Sequence, residues 1–270
     1  MTSNPPPVPV FDLKQGSTAV LISVPHAGTY LPPELADTMT TEAHTVPDTD
    51  WFIDALYNFA LELGAGMIVA NFSRFVIDLN RPPDGGSLYP GQATTGLCPI
   101  TLFDGTPIYL PEREPDEAEV ERRRAAYWQP YHDGLQAELT RIRDEHGHAV
   151  LYDAHSIAST VPRLFDGKLP DLNLGTANGA SADAGLTGQI SQIMDQAPFT
   201  SVVNGRFVGG HITRTYGRPH ENIHGLQMEI GLDAYMGENS ASAGFDIAAA
   251  APLQKTLRSI VETMINWRQQ

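Results

Sequence analysis

Two histidines follow apolar runs that are typical of buried strands. His26 follows "TAVLISVP", and His155 comes near the end of "AVLYDAHSI". A polar ring has no packing role at the end of a core strand, whereas open α/β sheets bind ligands beyond the carboxyl ends of their strands. Imidazole nitrogens are common ligands of zinc and related metals. The pattern therefore indicates a metal site at one edge of a sheet.

Carboxylates in comparable positions could complete such a site. Asp48 and Asp50 stand before the first helical pattern, where one aspartate would serve as the N-cap and the other would be spare. Glu229 lies within the strand-like run "LQMEIGL", where an unpaired carboxylate is costly to bury. A catalytic zinc typically takes three protein ligands from histidine and carboxylate side chains, and a separate carboxylate acts as general base. The set predicts a hydrolytic metal site, with Asp48 and Asp50 as alternative ligands.

The chain is acidic, and its few basic residues are mostly arginines. It has 17 Lys+Arg against 32 Asp+Glu and a formal net charge of −15 at pH 7. Nucleic acids and membrane surfaces require a basic footprint, so we expect neither as a partner. A guanidinium group pairs with a carboxylate in a planar, bidentate geometry. The arginine excess indicates recognition of a small carboxylate ligand or, alternatively, a high-GC codon bias.

Two segments place polar groups near the predicted site. Asn80 and Arg81 follow directly after "FVIDL". Segment 204–231, "NGRFVGGHITRTYGRPHENIHGLQMEIG", is dense in glycine, histidine and arginine and leads into the Glu229 strand. Glycines let backbone approach a ligand closely, although the same composition is also typical of a glycine-rich surface loop. His132 stands in a helical context, where we expect either solvation or a contact with the C-terminal dipole of a helix.

Short runs rich in Val, Ile and Leu alternate with helical patterns. The strand-like runs are "TAVLISV", "MIVANF", "RFVIDL", "AVLYDA", "SVVNGRF" and "LQMEIGL". Helical patterns cover 48–65, 115–147 (which Pro130 should kink or split), 182–197 and 248–270. This alternation favours a mostly parallel sheet covered on both faces. We expect one domain over 16–270, preceded by an extended, proline-rich arm over 1–15.

The segment 80–114 carries little periodicity. It is rich in Gly, Pro and Thr, yet it has too many apolar and aromatic residues for a linker, so we predict an ordered loop over the site.

The single cysteine, Cys98, excludes an internal disulfide framework. There is no signal-like segment at the N-terminus and no apolar run near ~20 residues, so we expect a cytoplasmic protein.

Several sequence blocks, in the same order, carry a family resemblance. They are "PHAGTYLP", "DTDWFIDALY", "SRFVIDLNRPPDGGSLY", "TTGLCPITLFDGTPIY", "WQPYHDGL", "LYDAHSI", "VPRLFDGKLPDLNLGT" and "NGRFVGGHITRTYGRPHENIHGLQMEI". From about Pro25 to Met236 the chain resembles the N-formylglutamate amidohydrolase (N-formylglutamate deformylase) family. The resemblance implies a three-layer α/β/α sandwich with a mostly parallel mixed central sheet, phosphorylase/hydrolase-like and similar to zinc carboxypeptidases and aspartoacylase. It also implies hydrolysis of N-formyl-L-glutamate to formate and L-glutamate in histidine degradation.

The resemblance further implies a metal-ligand set. Carboxypeptidase-like relatives use a His-x-x-Glu pair, but Thr29 stands three residues after His26 here. The acidic ligand is then expected from "DTDW", and we prefer Asp50, at the helix start. His155 matches the later histidine ligand of such relatives. We therefore expect zinc on His26, Asp50 and His155, although these ligand types also suit other divalent transition metals.

The resemblance implies the roles of Glu229 and of Asn80–Arg81, and the chemistry of the implied substrate suggests the others. Glu229 corresponds to the general base, and Arg74 is expected to help hold the oxyanion. The pair Asn80–Arg81 would grip one substrate carboxylate. Further substrate contacts are expected from Arg214, for the second carboxylate, with His211 and Asn204.

Other functions are also compatible with this sequence. The chain could hydrolyse another N-acyl amino acid, such as an N-acetyl or N-formyl-aspartate, or it could be a non-catalytic carboxylate-binding protein. A pocket too tight for an acetyl group would select the formyl group, and the loop 80–114 is a candidate wall. An oligomer is compatible with the sequence.

Overall fold

A single mixed sheet forms the centre of the protein. The computed structural model describes residues 8–86, 94–236 and 244–268. Within these ranges the strands are β1 (Phe11–Lys14), β2 (Val20–Val24), β3 (Gly66–Ala70), β4 (Ala149–Ile157), β5 (Leu172–Gly175), β6 (Ser201–Val203) and β7 (Ile223–Gly231). Their order across the sheet is β1-β3-β2-β4-β7-β5-β6.

The four central strands run parallel, and the reversals lie towards the edges. Strands β3, β2, β4 and β7 pair in parallel, whereas β1 pairs antiparallel to β3 and β5 antiparallel to β7. All nine residues of β4 and of β7 are buried, as expected for strands covered on both faces. The predicted mostly parallel, mixed sheet is confirmed.

Helices cover both faces of this sheet. They are α1 (Pro33–Ala36), α2 (Ile53–Tyr57), α3 (Phe59–Glu62), α4 (Glu117–Arg123), α5 (Gln129–His146), α6 (Ala184–Gln196), α7 (His211–Tyr216), α8 (Asp233–Met236) and α9 (Ile247–Asn266). One core contains side chains of α2, α6 and α9, and the other those of α5 and α7. Successive strand residues enter opposite cores, as Val20 and Leu21 do. The three-layer α/β/α arrangement is confirmed.

Two predicted elements take other forms. The run "RFVIDL" (74–79) is buried but turns instead of forming a strand: Val76 N–H donates to Ser73 O, and Arg81 N–H donates to Asp78 O. The pattern over 48–65 becomes helical only at α2, after Phe52 with a positive φ of 58°. In both cases tertiary contacts hold the backbone away from the form that apolar periodicity favours.

The helical pattern over 115–147 forms in three parts. The helices α4 and α5 are joined by a π-turn, Arg124–Trp128. Pro130 lies in the first turn of α5, where its missing N–H is tolerated. Residues 11–14, assigned to the arm, are extended and form the edge strand β1, and residues 1–7 lie outside the described ranges.

The predicted loop 80–114 is described except for 87–93. Short bridges pair residues within the loop, such as Thr101 with Pro107, and pair the loop with another part of the chain, such as Tyr109 with Met39.

Among the described helices, none has both the length and the apolar character needed to cross a membrane.

Candidate active site

Three neighbouring parallel strands bring the predicted chemical side chains to one edge of the sheet. His26 lies two residues beyond the end of β2, and His155 lies near the end of β4. Glu229, on β7, is directly opposite His155 in the strand register. His26, His155 and Glu229 are buried, with exposed fractions of 3%, 3% and 7%. Residues far apart in the sequence therefore share one water-poor space.

Asp50 reaches this space from the turn that precedes α2. Its N–H donates to His26 O at 3.0 Å, and its Oδ2 accepts the Ser156 N–H at 3.1 Å. Its side chain does not cap α2. Asp48 points elsewhere, because its Oδ2 accepts the Phe103 N–H at 2.8 Å. Of the two alternatives, Asp50 lies beside the histidines.

His26, Asp50 and His155 could together hold a metal ion. One potential ligand atom from each residue lies within 4.8 Å of the others. The Nδ1 atoms of His155 and His26 lie 3.0 Å and 3.8 Å from Asp50 Oδ2. Asp50 Oδ1 is buried and accepts no hydrogen bond from the described part of the chain. The nearest cation is the Arg74 guanidinium, 3.9 Å away and beyond hydrogen-bond distance, so this buried oxygen has room for a closer cation.

Asp78 fixes the ring of His26. Its Oδ1 lies 2.8 Å from His26 Nε2, and its Oδ2 accepts from Arg74 at 2.6 Å. Since a carboxylate accepts, Nε2 carries the hydrogen, and the lone pair of Nδ1 is left towards Asp50. Carboxylates orient metal-binding histidines in this way. Asp78 is not among the residues predicted from the sequence, although a carboxylate inside the apolar run "FVIDL" is the same signal that predicts a role for Glu229.

The two histidines have opposite electrostatic environments. Burial lowers the pKa of His26, and the nearby Arg74 lowers it further. Burial also opposes protonation of His155, but Asp153 and Asp50 outweigh it and raise its pKa well above the usual value. The Nε2 atom of His155 lies 3.1 Å from Asp153 Oδ2. A metal ion on Nδ1 would replace the proton shared with Asp50.

Glu229 is poised to exchange a proton near neutral pH. Burial raises its pKa to about 8, against the opposing effect of His155. Its Oε2 accepts from Gln227 Nε2 at 3.4 Å, and Gln227 is held by the Gly210 N–H at 2.7 Å. A divalent cation beside it would lower this pKa towards neutrality. A carboxyl group with these properties suits general acid–base catalysis.

The charges at this edge also fit a divalent cation. Its carboxyl groups belong to Asp50, Asp78, Asp153 and Glu229, and its guanidinium groups to Arg74 and Arg81. Without an ion, the raised pKa values of His155 and Glu229 mean that bound protons offset these carboxylates, and a dication could take the place of those protons. Two imidazoles and one carboxylate are donors that suit zinc and several other divalent transition metals. The residues present therefore fit such an ion.

Asn80, Arg81 and Arg74 all line the cavity at the triad, which has a volume of about 70 Å³. Asn80 Nδ2 donates to Asp153 at 3.2 Å, and its Oδ1 accepts the Ile212 N–H at 2.8 Å. Arg81 donates to the carbonyl oxygen and hydroxyl of Thr95, each at 3.0 Å. The wall also has an apolar part, formed by Phe103, Ile157, Leu164 and Phe207, and is completed by Ser156, Gly210 and Gln227.

Two aromatic residues of the π-turn region hold the backbone around Asn80. Trp128 Nε1–H donates to Arg81 O at 3.1 Å, and His132 Nε2 lies 2.9 Å from Leu79 O. Their rings stack with centroids 3.7 Å apart. The expectation that solvation or a helix C-terminus accounts for His132 is wrong, because the residue is only 3% exposed and lies in the first turn of α5. Trp128 is the last residue of the π-turn that precedes α5, and such turns are common near functional sites.

Three of the residues predicted to bind substrate are not part of this cavity wall: Asn204, His211 and Arg214. Asn204 instead holds a turn through Thr176, whose N–H donates to its Oδ1 at 2.8 Å. His211 lies beside Trp128, with ring centroids 5.6 Å apart. Arg214 Nε donates to Gly209 O at 2.8 Å. Their contact with substrate stays a prediction.

Comparison with known proteins identifies the family. The sequence model of the N-formylglutamate amidohydrolase family matches residues 18–236. The chain belongs to this family. Two curated N-formylglutamate deformylases, from Pseudomonas putida and Pseudomonas aeruginosa, are each 46% identical to it. The alignments cover 96% of this chain and 96% and 97% of those proteins.

Solved structures support the fold of this N-formylglutamate amidohydrolase family member. The crystal structure of an N-formylglutamate amidohydrolase from Ralstonia eutropha superimposes with a TM-score of 0.81 at 23% identity, covering 96% of this chain and 98% of that one. A protein from Agrobacterium tumefaciens gives a TM-score of 0.71 at 18% identity, covering 94% and 93%. At these identities, both similarities show a shared fold only.

Proposed function

We propose that this chain hydrolyses N-formyl-L-glutamate to formate and L-glutamate, with zinc as its cofactor. The observation that carries the proposal is the convergence of His26, Asp50, His155 and Glu229 on one buried cavity. The names of the two Pseudomonas relatives, each 46% identical over almost the whole chain, support the same substrate. The matched family model is named for the same amide.

The chemistry divides between the metal and Glu229. A divalent cation held by His26, Asp50 and His155 would lower the pKa of water and polarise the formamide carbonyl. Glu229 takes a proton from the attacking water as the carbon–oxygen bond forms. It then gives that proton to the leaving nitrogen as the carbon–nitrogen bond breaks, so the products are formate and the free amine. Its elevated pKa keeps this proton available near neutral pH.

The guanidinium groups account for binding of a dianion by an acidic protein. Arg81, with Asn80, holds one substrate carboxylate at the cavity that both residues line. Arg74 faces the same cavity and stabilises negative charge that develops on the carbonyl oxygen. Arg214 is our candidate for the second carboxylate, from a position beyond the cavity wall. Each charge-assisted contact contributes about 1.5–3 kcal/mol.

The decisive variant is Glu229→Gln, which keeps the shape of the side chain and removes its basicity. We expect kcat for formate release to fall by about 10²–10⁴-fold, with the zinc content unchanged. The matched control is Glu138→Gln, because Glu138 is also buried but lies on α5, paired with Arg141. Turnover near wild type in E229Q would exclude Glu229 as the base.

A substrate panel tests the identity of the reaction. Wild-type protein should release formate from N-formyl-L-glutamate faster than it cleaves N-acetyl-L-glutamate or N-formyl-L-aspartate, and chelation should abolish the activity. Faster cleavage of another N-acyl amino acid would reassign the substrate. Thermal stabilisation by N-formylglutamate without any product would instead support a binding protein.

A further inference from the structure

A second, larger cavity adjoins the one at the triad. Its volume is about 390 Å³. Much of its wall is apolar and is formed by Leu102, Ala158, Val161, Pro162 and Leu232. It shares Phe103, Ser156 and Ile157 with the triad cavity. These three residues therefore form a partition between the two cavities.

Two members of this partition are fixed by the sheet. Ser156 and Ile157 belong to β4 and pair in register with Ile230 and Gly231 of β7. The hydroxyl of Tyr235 also donates to Ser156 Oγ at 2.9 Å. Strand residues of this kind cannot move without disrupting the central ladder. The half-buried ring of Phe103, on a loop, is the part of the partition that a side-chain change can open.

The ring of Phe103 is held in place by its surroundings. Its N–H donates to Asp48 Oδ2 at 2.8 Å, and the Arg74 guanidinium carbon lies 4.8 Å from its ring centroid. Arg163 donates to the neighbouring carbonyl oxygen of Leu102 at 3.1 Å. Asp48 does not belong to the proposed metal-ligand set. It instead holds the backbone of the loop that carries Phe103.

The substrate's orientation determines which group meets this partition. Carboxylates go to Asn80 and Arg81, and the reacting carbon lies between the triad and Glu229. We place the substituent on the carbonyl carbon against Phe103 and Ile157, because an apolar group suits the apolar part of the cavity wall better than the charged part. In a formyl group that substituent is a hydrogen atom, which needs no space behind the partition.

We infer that Phe103 determines acyl specificity: it restricts the site to the formyl group by separating it from an apolar cavity that fits a longer N-acyl chain. This inference rests on the proposed function. Replacing the ring with a small side chain joins the two cavities. A straight acyl chain of four to six carbons would then lie against apolar side chains instead of colliding with the ring.

The test compares kcat/KM for N-formyl-, N-acetyl-, N-butanoyl- and N-hexanoyl-L-glutamate. In Phe103→Ala, the ratio of N-hexanoyl to N-formyl hydrolysis should rise at least about tenfold over wild type, as methylene groups gain an apolar pocket. The matched control is Phe207→Ala, since Phe207 lines the triad cavity but not the larger one. That ratio should stay within about threefold of wild type in F207A.

A second substitution tests where the acyl chain lies. Ala158 lines the larger cavity but not the one at the triad, so Ala158→Phe places a ring in the larger cavity alone. F103A/A158F should therefore lose the gain, whereas A158F alone should leave N-formyl hydrolysis unchanged. Phe103→Leu provides a milder opening should F103A fold poorly. Equal acyl-length profiles in wild type, F103L and F103A would overturn the inference, as would a gain in F207A as large as in F103A. Failure of wild type to release formate would instead contradict the proposed function.

Discussion

His132 makes the stability of this protein depend on pH in a calculable way. Burial lowers the pKa of its imidazole from 6.5 to about 3, against the opposing effect of Leu79 O. The neutral ring is satisfied at both nitrogens, with Nε2 2.9 Å from Leu79 O and Nδ1 2.8 Å from the Tyr216 hydroxyl. A second proton would remove the acceptor that the hydroxyl needs. The folded state therefore excludes a proton that the unfolded chain binds.

The direction and the size of this pH effect on stability follow from the linkage between proton binding and folding. Because the folded pKa is depressed, the stabilisation is complete above pH 6.5 and is lost as the pH falls towards 3. At pH 5.0 the unfolded-state histidine is almost fully protonated, while the folded one is neutral. The pH then lies 1.5 units below the unfolded pKa, which corresponds to about 2 kcal/mol of lost unfolding free energy.

The assay is urea unfolding of wild type and His132→Gln at pH 7.5 and pH 5.0, followed by far-UV circular dichroism. H132Q should be less stable at pH 7.5 by about 1–2 kcal/mol, and this deficit should shrink by about 2 kcal/mol at pH 5.0. Taking the difference between the two proteins cancels the titration of other groups. His220→Gln, which removes an exposed histidine, is the control. A deficit of H132Q that is equal at both pH values would refute the reasoning.

Three further predictions concern the site itself. Trp128→Phe removes the hydrogen bond to Arg81 O but keeps the stacking, so KM for N-formylglutamate should rise several-fold with kcat within about twofold; an equal fall in kcat would assign Trp128 a different role. Asp78→Asn removes the carboxylate that orients His26, and zinc affinity, measured by competition with a chelator, should fall about 10–100-fold; an unchanged affinity would contradict that role. Removing zinc by dialysis should lower the melting temperature, since a ligand bound only to the folded state stabilises it, and Asp50→Ala should abolish that difference.

The strand-borne part of the site could be predicted from sequence. His155 and Glu229 interrupt apolar runs, and burial of such groups requires a partner or a role. The alternation along a strand then places them on one face. Asp50 could not be separated from Asp48 by pattern alone, because the choice depends on a hydrogen bond to His26 O and on the Phe103 N–H.

Residues on irregular backbone could not be predicted in the same way. Asp78 lies in an apolar run that turns instead of forming a strand, and His132 lies on a helix whose π-turn changes which side chains face inward. The short strand β5 and the helix α7 were not recognised either. Each has too few residues for periodicity to be decisive, and neighbouring strands and loops determine their conformation.

The alternation along β4 and β7 has a consequence for how this protein can change over time. On β4, Asp153 and His155 face the site, while Ala154 packs in the core; on β7, Glu229 faces the site and Met228 the core. Insertion or deletion of one residue in either strand would exchange the two sets, placing a histidine or glutamate in the apolar layer. Substitutions can therefore adjust chemistry and packing separately, but a change of length within these strands destroys both together.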